Sequence, residues 1–168
     1  NAYDSIEVLK LLDGIVDIYL PDLKYADSDA GFQYSKVRDY KEHARSAIKE
    51  MHRQMGDTLV FDGARTLSSA GPPLLKRGLL IRLLVLPNDI AGIEANLRWI
   101  RDELGSKTAV SLMAQYYATN KAATDERSIL LSRRISDREW FQACPLPHHH
   151  SLHKAPLPRR ATGRCAGQ

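Results

Sequence analysis

An acid and a base two residues apart, Asp22 and Lys24, close the apolar run IVDIYLPDLKY at positions 15–25. Residues i and i+2 of an extended segment point to the same side. The carboxylate and the ammonium can therefore address one ligand that carries charge of both signs. A surface ion pair worth about 0–1 kcal/mol would use the same two residues, and a desolvated Lys at a strand end is also suited to Schiff-base chemistry. Spacing alone leaves these readings open. Two other groups have chemical potential. His148, His149, His150 and His153 are good ligands for Zn or Ni, and Lys154, Arg159, Arg160 and Arg164 could attract phosphate. The histidines lack a framework that would close a site, and the basic residues lack interleaved aromatics. Neither functional metal binding nor a specific nucleic-acid partner is expected. Trp99, Tyr116 and Tyr117 read as core or pocket wall.

The elements around the acid and base alternate between helix and strand. Asp4 and Glu7 have capping-box spacing, Ile6, Leu9 and Leu12 lie near one helical face, and Gly14 can end that helix. IVDIYL (15–20) then reads as a strand buried on both faces, stopped by Pro21. Tyr40, Ala44, Ala47, Ile48, Met51 and Met55 recur at helical spacing, predicting an amphipathic helix over 38–55 that covers the sheet. A loop at 62–78 leads into LLIRLLVLP, the strongest strand signal, ended by Pro87. Asn88 or Asp89 can cap the next helix, whose apolar positions are Ile90, Ile93, Leu97, Ile100 and Leu104, and TAVSLM (108–113) is a third strand. This order, with connections long enough for crossovers, predicts a parallel α/β sheet or barrel. Ligands of such folds collect at the carboxyl ends of the strands, where Asp22 and Lys24 fall.

Composition limits the alternatives. With 168 residues, 43% hydrophobic and 26% charged, the chain has enough apolar side chains for about one domain with a core, which argues against disorder throughout. No stretch approaches the roughly 18–20 consecutive apolar residues of a membrane helix, and the opening NAYDSIEVLK lacks signal-peptide character. A cytoplasmic protein without a membrane partner is expected. The net charge of +4 comes from the end of the chain: four of the 24 basic residues and none of the 20 acids lie beyond position 142. Four of the eight prolines, four of the six histidines and both cysteines, Cys144 and Cys165, lie there too. The expected division is a folded body at 1–142 and a disordered tail rich in Pro, His and Arg at 143–168.

Four segments in order, NAYDSIEVLKLLDGIVDIYLPDLKY, AIKEMHRQMGD, KRGLLIRLLVLP and VSLMAQYYATNKA, resemble the downstream half of a radical S-adenosylmethionine protein related to the pyruvate formate-lyase activating enzymes. The resemblance covers roughly residues 1–142 and implies a partial parallel β/α barrel. It also implies reductive cleavage of S-adenosylmethionine at a [4Fe-4S] cluster, with hydrogen abstraction from a glycyl radical enzyme or another protein substrate, and an electron donor. It places Asp22 and Lys24 beside the methionine end of S-adenosylmethionine, Lys24 toward its carboxylate and Asp22 toward a cationic group or ion. Asn1 matches the Asn of a turn near the cofactor, while Arg82 and Gln115 take matching strand and post-strand positions. Arg82 is suited either to an anion or to a structural pairing.

The chain departs from that pattern at several places. The C-x-x-x-C-x-x-C loop of the family has no counterpart in it, and Cys144 and Cys165, 21 positions apart, cannot replace three closely spaced thiolates. Leu83 stands where relatives carry His, and Asn88 where they carry Gly. RRISDREWFQA resembles the family's last segment, with Ser136 and Glu139 in a capping box, but Pro145 and Pro147 stop the helix. An alternative reading frame, a splice variant or a gene-model error would produce such a junction, and so would a natural linker; the first group is the expectation. The expectation is an incomplete barrel, inactive alone. The alternative is a non-catalytic α/β interaction domain with a basic tail.

Overall fold

Strand β3 (Leu75–Leu84) organises the molecule. Leu79, Ile81 and Leu83, with Val85 beyond them, are at most 2% exposed, whereas Leu80, Arg82 and Leu84 on the opposite face are half-buried. The period of two is that of a strand with helices on one face and a less covered surface on the other. The structure is a computed structural model and describes residues 2–62, 74–124, 126–144 and 152–154.

A parallel sheet is built around β3. On one side β1 (Ile18–Tyr19) pairs through Ile18–Gly78 and Tyr19–Leu79, and the parallel direction continues to a bridge between Asp22 and Arg82. On the other side β4 (Ala109–Met113) pairs from Leu80–Ala109 to Leu84–Met113, followed by β5 (Leu152–Lys154) against Val110–Leu112. The parallel order is β1-β3-β4-β5, and β2 (Val60–Phe61) joins the start of β3 antiparallel.

Among the described residues five helices connect or flank these strands up to residue 124: α1 (Ile6–Leu11), α2 (Ser28–Ser35), α3 (Tyr40–Met55), α4 (Ile93–Glu103) and α5 (Lys121–Thr124). A sixth, α6 (Asp137–Ala143), follows a 3-10 turn at Glu126–Leu131. The apolar stripe of α3 is buried throughout, with Ala44, Ala47 and Ile48 fully inaccessible. Truncating Ile48 to Ala would therefore cost about 2–5 kcal/mol. The approach of α2 to α3 depends on Gly31, where a Cβ would stand 2.7 Å from Tyr40 Cβ. None of the helices among the described residues is long and apolar enough to cross a membrane.

The mixed α/β class, the parallel sheet, the long third helix and the capping box at Ser136 and Glu139 agree with the sequence reading. Several local expectations do not. IVDIYL is not a strand buried on both faces: only Ile18–Tyr19 belongs to a strand, Ile15 is 70% exposed and Leu20 is 47% exposed. Ile15 instead sits in the turn after α1, its N–H donating to Leu12 O, and β1 lies at the margin of the described sheet. The cap of α1 is Ser5 rather than Asp4, with Val8 N–H donating to Ser5 Oγ. The strand expected after residue 78 begins at Leu75 because β2 supplies a partner for that part. Asp89 serves α4 by accepting from Ile93 N–H, although Gly92 occupies the terminal position. Most of the loop at 62–78, the histidines and basic residues of 143–168 other than His153 and Lys154, and Asn1 lie outside the described residues. Within 143–168, Leu152–Lys154 forms β5.

Candidate functional site

The strand period that buries Leu79, Ile81 and Leu83 on one face of β3 also determines what the other face presents, and the site begins with this second face. Arg82, Leu84 and Leu86 succeed one another along β3 and its exit, while Asp22 and Lys24 do so after β1. The register aligns Asp22 with Arg82 and Arg82 with Ser111, and the next row aligns Leu84 with Met113. All of these except Ser111 line a cavity of about 210 Å³ at the carboxyl ends of the strands, whose wall also includes Tyr25, Tyr116 and Leu131.

Arg82 Nη2 lies 2.7 Å from Asp22 Oδ1. The pair is close but misaligned for hydrogen bonding: Asp22 Oδ1 and Arg82 Nε are both buried without a hydrogen-bond partner. Unused capacity of this kind costs about 1–3 kcal/mol per group. The acid of the Asp-Leu-Lys segment is therefore paired with Arg82 rather than with Lys24. Lys24 has no carboxylate within ion-pair distance among the described residues, and its half-buried side chain contributes to the cavity wall. The result is one ion pair and one additional cation beside an apolar surface of Leu84, Leu86, Met113 and Leu131.

Backbone bonds fix this segment to β3: Arg82 N–H donates to Pro21 O at 2.8 Å, and Leu23 N–H donates to Arg82 O at 3.0 Å. Leu23 is fully buried. On the other side, Tyr40 at the start of α3 donates its hydroxyl to Asp22 O at 3.0 Å and accepts Lys24 N–H at 2.8 Å. Burial is the main cause that pushes the Tyr40 hydroxyl up to about 12, so it remains a neutral phenol at physiological pH.

A polar cluster supports the opposite wall. Tyr116 donates its hydroxyl to Leu131 O at 2.7 Å. Glu139 accepts from both terminal nitrogens of Arg133 at 2.8 Å, from Asn88 N–H at 2.7 Å and from Ser136 N–H at 2.8 Å. The Arg133 hydrogen bonds are the main reason that the Glu139 carboxyl lies far below the usual carboxylate range. Asn88 donates from its side chain to Leu130 O at 2.8 Å. Its φ of +58° lies in the left-handed region, which Asn is among the few residues with a side chain to tolerate.

The structure thus brings together Asp22, Lys24 and Arg82 of the five positions that the resemblance singles out, Asn1 lying outside the described residues. Gln115 is exposed, with its amide 3.6 Å from Met113 Sδ, and does not line the cavity. Tyr116 is pocket wall as expected, but Tyr117 is 60% exposed and packs under the Arg134 guanidinium, while Trp99 lies against Arg45. Sequence reading assigned Tyr40 only to the buried stripe of a helix and did not single out Met113 or Leu131 for the site. Helical spacing announces the ring of Tyr40 but gives no signal for where its hydroxyl ends.

Among the described residues no group of three His, Cys, Asp or Glu side chains could hold a metal ion, and Cys144 is the one described cysteine. Their donor set does not fit a [4Fe-4S] cluster, which is commonly held by several thiolates. The polar residues of the cavity are suited instead to a small ligand with separated positive and negative groups.

No known family and no solved structure matches the chain. It is similar to an uncharacterized protein of Methanocaldococcus jannaschii, with 28% identity over 153 residues. The match covers 90% of this chain and 37% of that protein, so the chain spans little more than a third of its relative's length.

Proposed function

We propose that the chain contributes the methionine-binding part of a radical S-adenosylmethionine protein of the pyruvate formate-lyase activating enzyme type. The observation that carries this reading is the junction of Asp22, Arg82 and Lys24 over an apolar cavity at the strand ends. The methionine end of S-adenosylmethionine has a carboxylate, an ammonium and a sulfonium. Lys24 would take the carboxylate, Asp22 would face a cationic group, and Arg82 would hold Asp22 while offering its other N–H donors to an anion. Leu84, Leu86 and Met113 would cover the aliphatic part. At about 210 Å³ the cavity is smaller than the roughly 300–1,000 Å³ of typical small-molecule sites, which favours one end of the ligand over all of it.

In this reading the whole protein cleaves S-adenosylmethionine reductively and abstracts hydrogen, with a glycyl radical enzyme or another protein as substrate, an external electron donor and a cytoplasmic location. The cluster would supply the electron for cleavage. The described residues offer no ligand set for it, and the role derived for them is confined to binding and orienting the methionine end. Equilibrium dialysis of S-adenosylmethionine against wild type and Lys24→Ala tests that role. Loss of a charge-assisted hydrogen bond should weaken binding by about 1.5–3 kcal/mol, or roughly 10- to 150-fold. Equal affinity of the two proteins would remove Lys24 from the site.

A further inference from the structure

The Asp-Leu-Lys segment has two backbone edges. The edge facing β3 uses Pro21 O and Leu23 N–H. Asp22 C=O and Lys24 N–H belong to the alternate edge, which a neighbouring strand would engage in a wider sheet. Here one side-chain oxygen engages both: the Tyr40 hydroxyl donates to Asp22 O and accepts from Lys24 N–H. Leu23 is thereby held between β3 and α3, and the residues on either side of it cannot rotate independently.

The phenol is itself fixed. Tyr40 is 3% exposed, meets Tyr25 edge-on at 5.4 Å and stacks with Tyr3 at 6.4 Å. Gly31 gives the ring its place, because any side chain there would meet Tyr40 Cβ. A hydroxyl on so constrained a ring is a fixed point for the backbone rather than a mobile partner.

We propose that Tyr40 is a positioning residue that orients the Asp22 and Lys24 side chains toward the cavity by holding both of their backbone groups with one hydroxyl. This assignment rests on the proposed methionine-binding role of that cavity. Tyr40 itself does not touch the ligand; it acts through the two residues that do.

The test compares wild type, Tyr40→Phe and Tyr19→Phe. Tyr19 supplies the control because it is also buried and also donates its hydroxyl, but to Gln54 Oε1, at a place outside the cavity. Amide hydrogen exchange by NMR is measured without ligand, and S-adenosylmethionine affinity by equilibrium dialysis. Tyr40→Phe should accelerate exchange at Lys24 by at least tenfold, leave the amides of Ile48 and Met51 in α3 protected, and weaken affinity about tenfold. Tyr19→Phe should change neither Lys24 exchange nor affinity. Unchanged exchange at Lys24 in Tyr40→Phe would overturn the assignment, as would faster exchange with undiminished affinity. If wild type binds no S-adenosylmethionine, the proposed function fails and the ligand-directed part of the assignment with it; the Lys24 exchange difference between the two variants then upholds only the hold of the Tyr40 hydroxyl on the Asp22–Lys24 backbone, and its absence overturns that as well.

Discussion

Replacing Glu139 with Gln removes a charge at the centre of the cluster that ties the exit of β3 to the C-terminal helix. The carboxylate accepts from two Arg133 nitrogens, Asn88 N–H, Ser136 N–H and Ser136 Oγ, all between 2.7 and 2.9 Å. Gln has one acceptor oxygen in place of two, and its amide nitrogen must face one of these donors. Hydrogen bonds to charged groups contribute about 1.5–3 kcal/mol each. They are not additive, and the Arg133 side chain is 48% exposed, so solvent screens the ion pair. A net destabilisation of about 2–4 kcal/mol follows.

The assay is urea unfolding followed by circular dichroism, with the midpoint moving and the slope unchanged. The pH dependence provides a second reading. The folded carboxyl is held below its unfolded value, chiefly by Arg133 and then by Ser136, so its contribution is complete above the ordinary Glu range and declines as pH falls through and below about 4.3. The stability gap between wild type and Glu139→Gln should therefore be constant from about pH 7 to 5.5 and should narrow in acid. A gap under about 0.5 kcal/mol at neutral pH, or one that widens on acidification, would refute this account of the cluster.

Other substitutions probe different parts of the molecule. Glu50 is 8% exposed, and hydrogen bonds from Arg53 and then Gln54 lower its carboxyl to about 2. Glu50→Gln should cost about 1–2 kcal/mol at pH 7, after allowing for the exposed Arg53, with the cost shrinking as pH falls from about 4.3 toward 2; a scan of thermal midpoint against pH measures it. Gly31→Ala should cost about 1–3 kcal/mol by forcing α2 away from Tyr40, and should accelerate Lys24 amide exchange as well. Asp22→Asn should leave Arg82 without its counter-charge, lowering both stability in urea and S-adenosylmethionine affinity. Loss of stability with full affinity would assign the Asp22–Arg82 pair to structure alone.

The sequence was informative where burial imposes a period. The stripe from Tyr40 to Met55 could be read directly because it has one buried face, whereas the apolar run at 79–87 announced β3 as a strand without showing which of its residues are buried. The 15–20 segment misled for the same reason: apolar composition implied burial, but Ile15 is used in a turn and Leu20 lies exposed beyond the last residue of β1. Asp22 and Lys24 were legible as a pair by strand spacing. Their electrostatic relation was not, because the partner of Asp22 comes from β3, 60 positions away, through the parallel register. Tyr40 illustrates the remaining gap. Its pattern gives the position of a ring on a helix, while the role of the hydroxyl depends on how far α3 packs from the β1 exit. Asn88 is intermediate, since its turn can be suspected from Pro87 but its partners Leu130 and Arg133 lie in a later segment.

The most direct measurement of the central claim is a two-dimensional amide NMR titration of the ¹⁵N-labelled chain with S-adenosylmethionine, repeated on Lys24→Ala. NMR suits a cavity that accommodates one end of the ligand because it detects binding even in the millimolar range, where the free energy is only about −4 kcal/mol. The account predicts saturable shifts at Leu23, Lys24, Tyr25, Arg82, Met113 and Tyr116, all substantially reduced in Lys24→Ala. No shifts at millimolar ligand, or saturable shifts confined to residues away from the cavity, would contradict it.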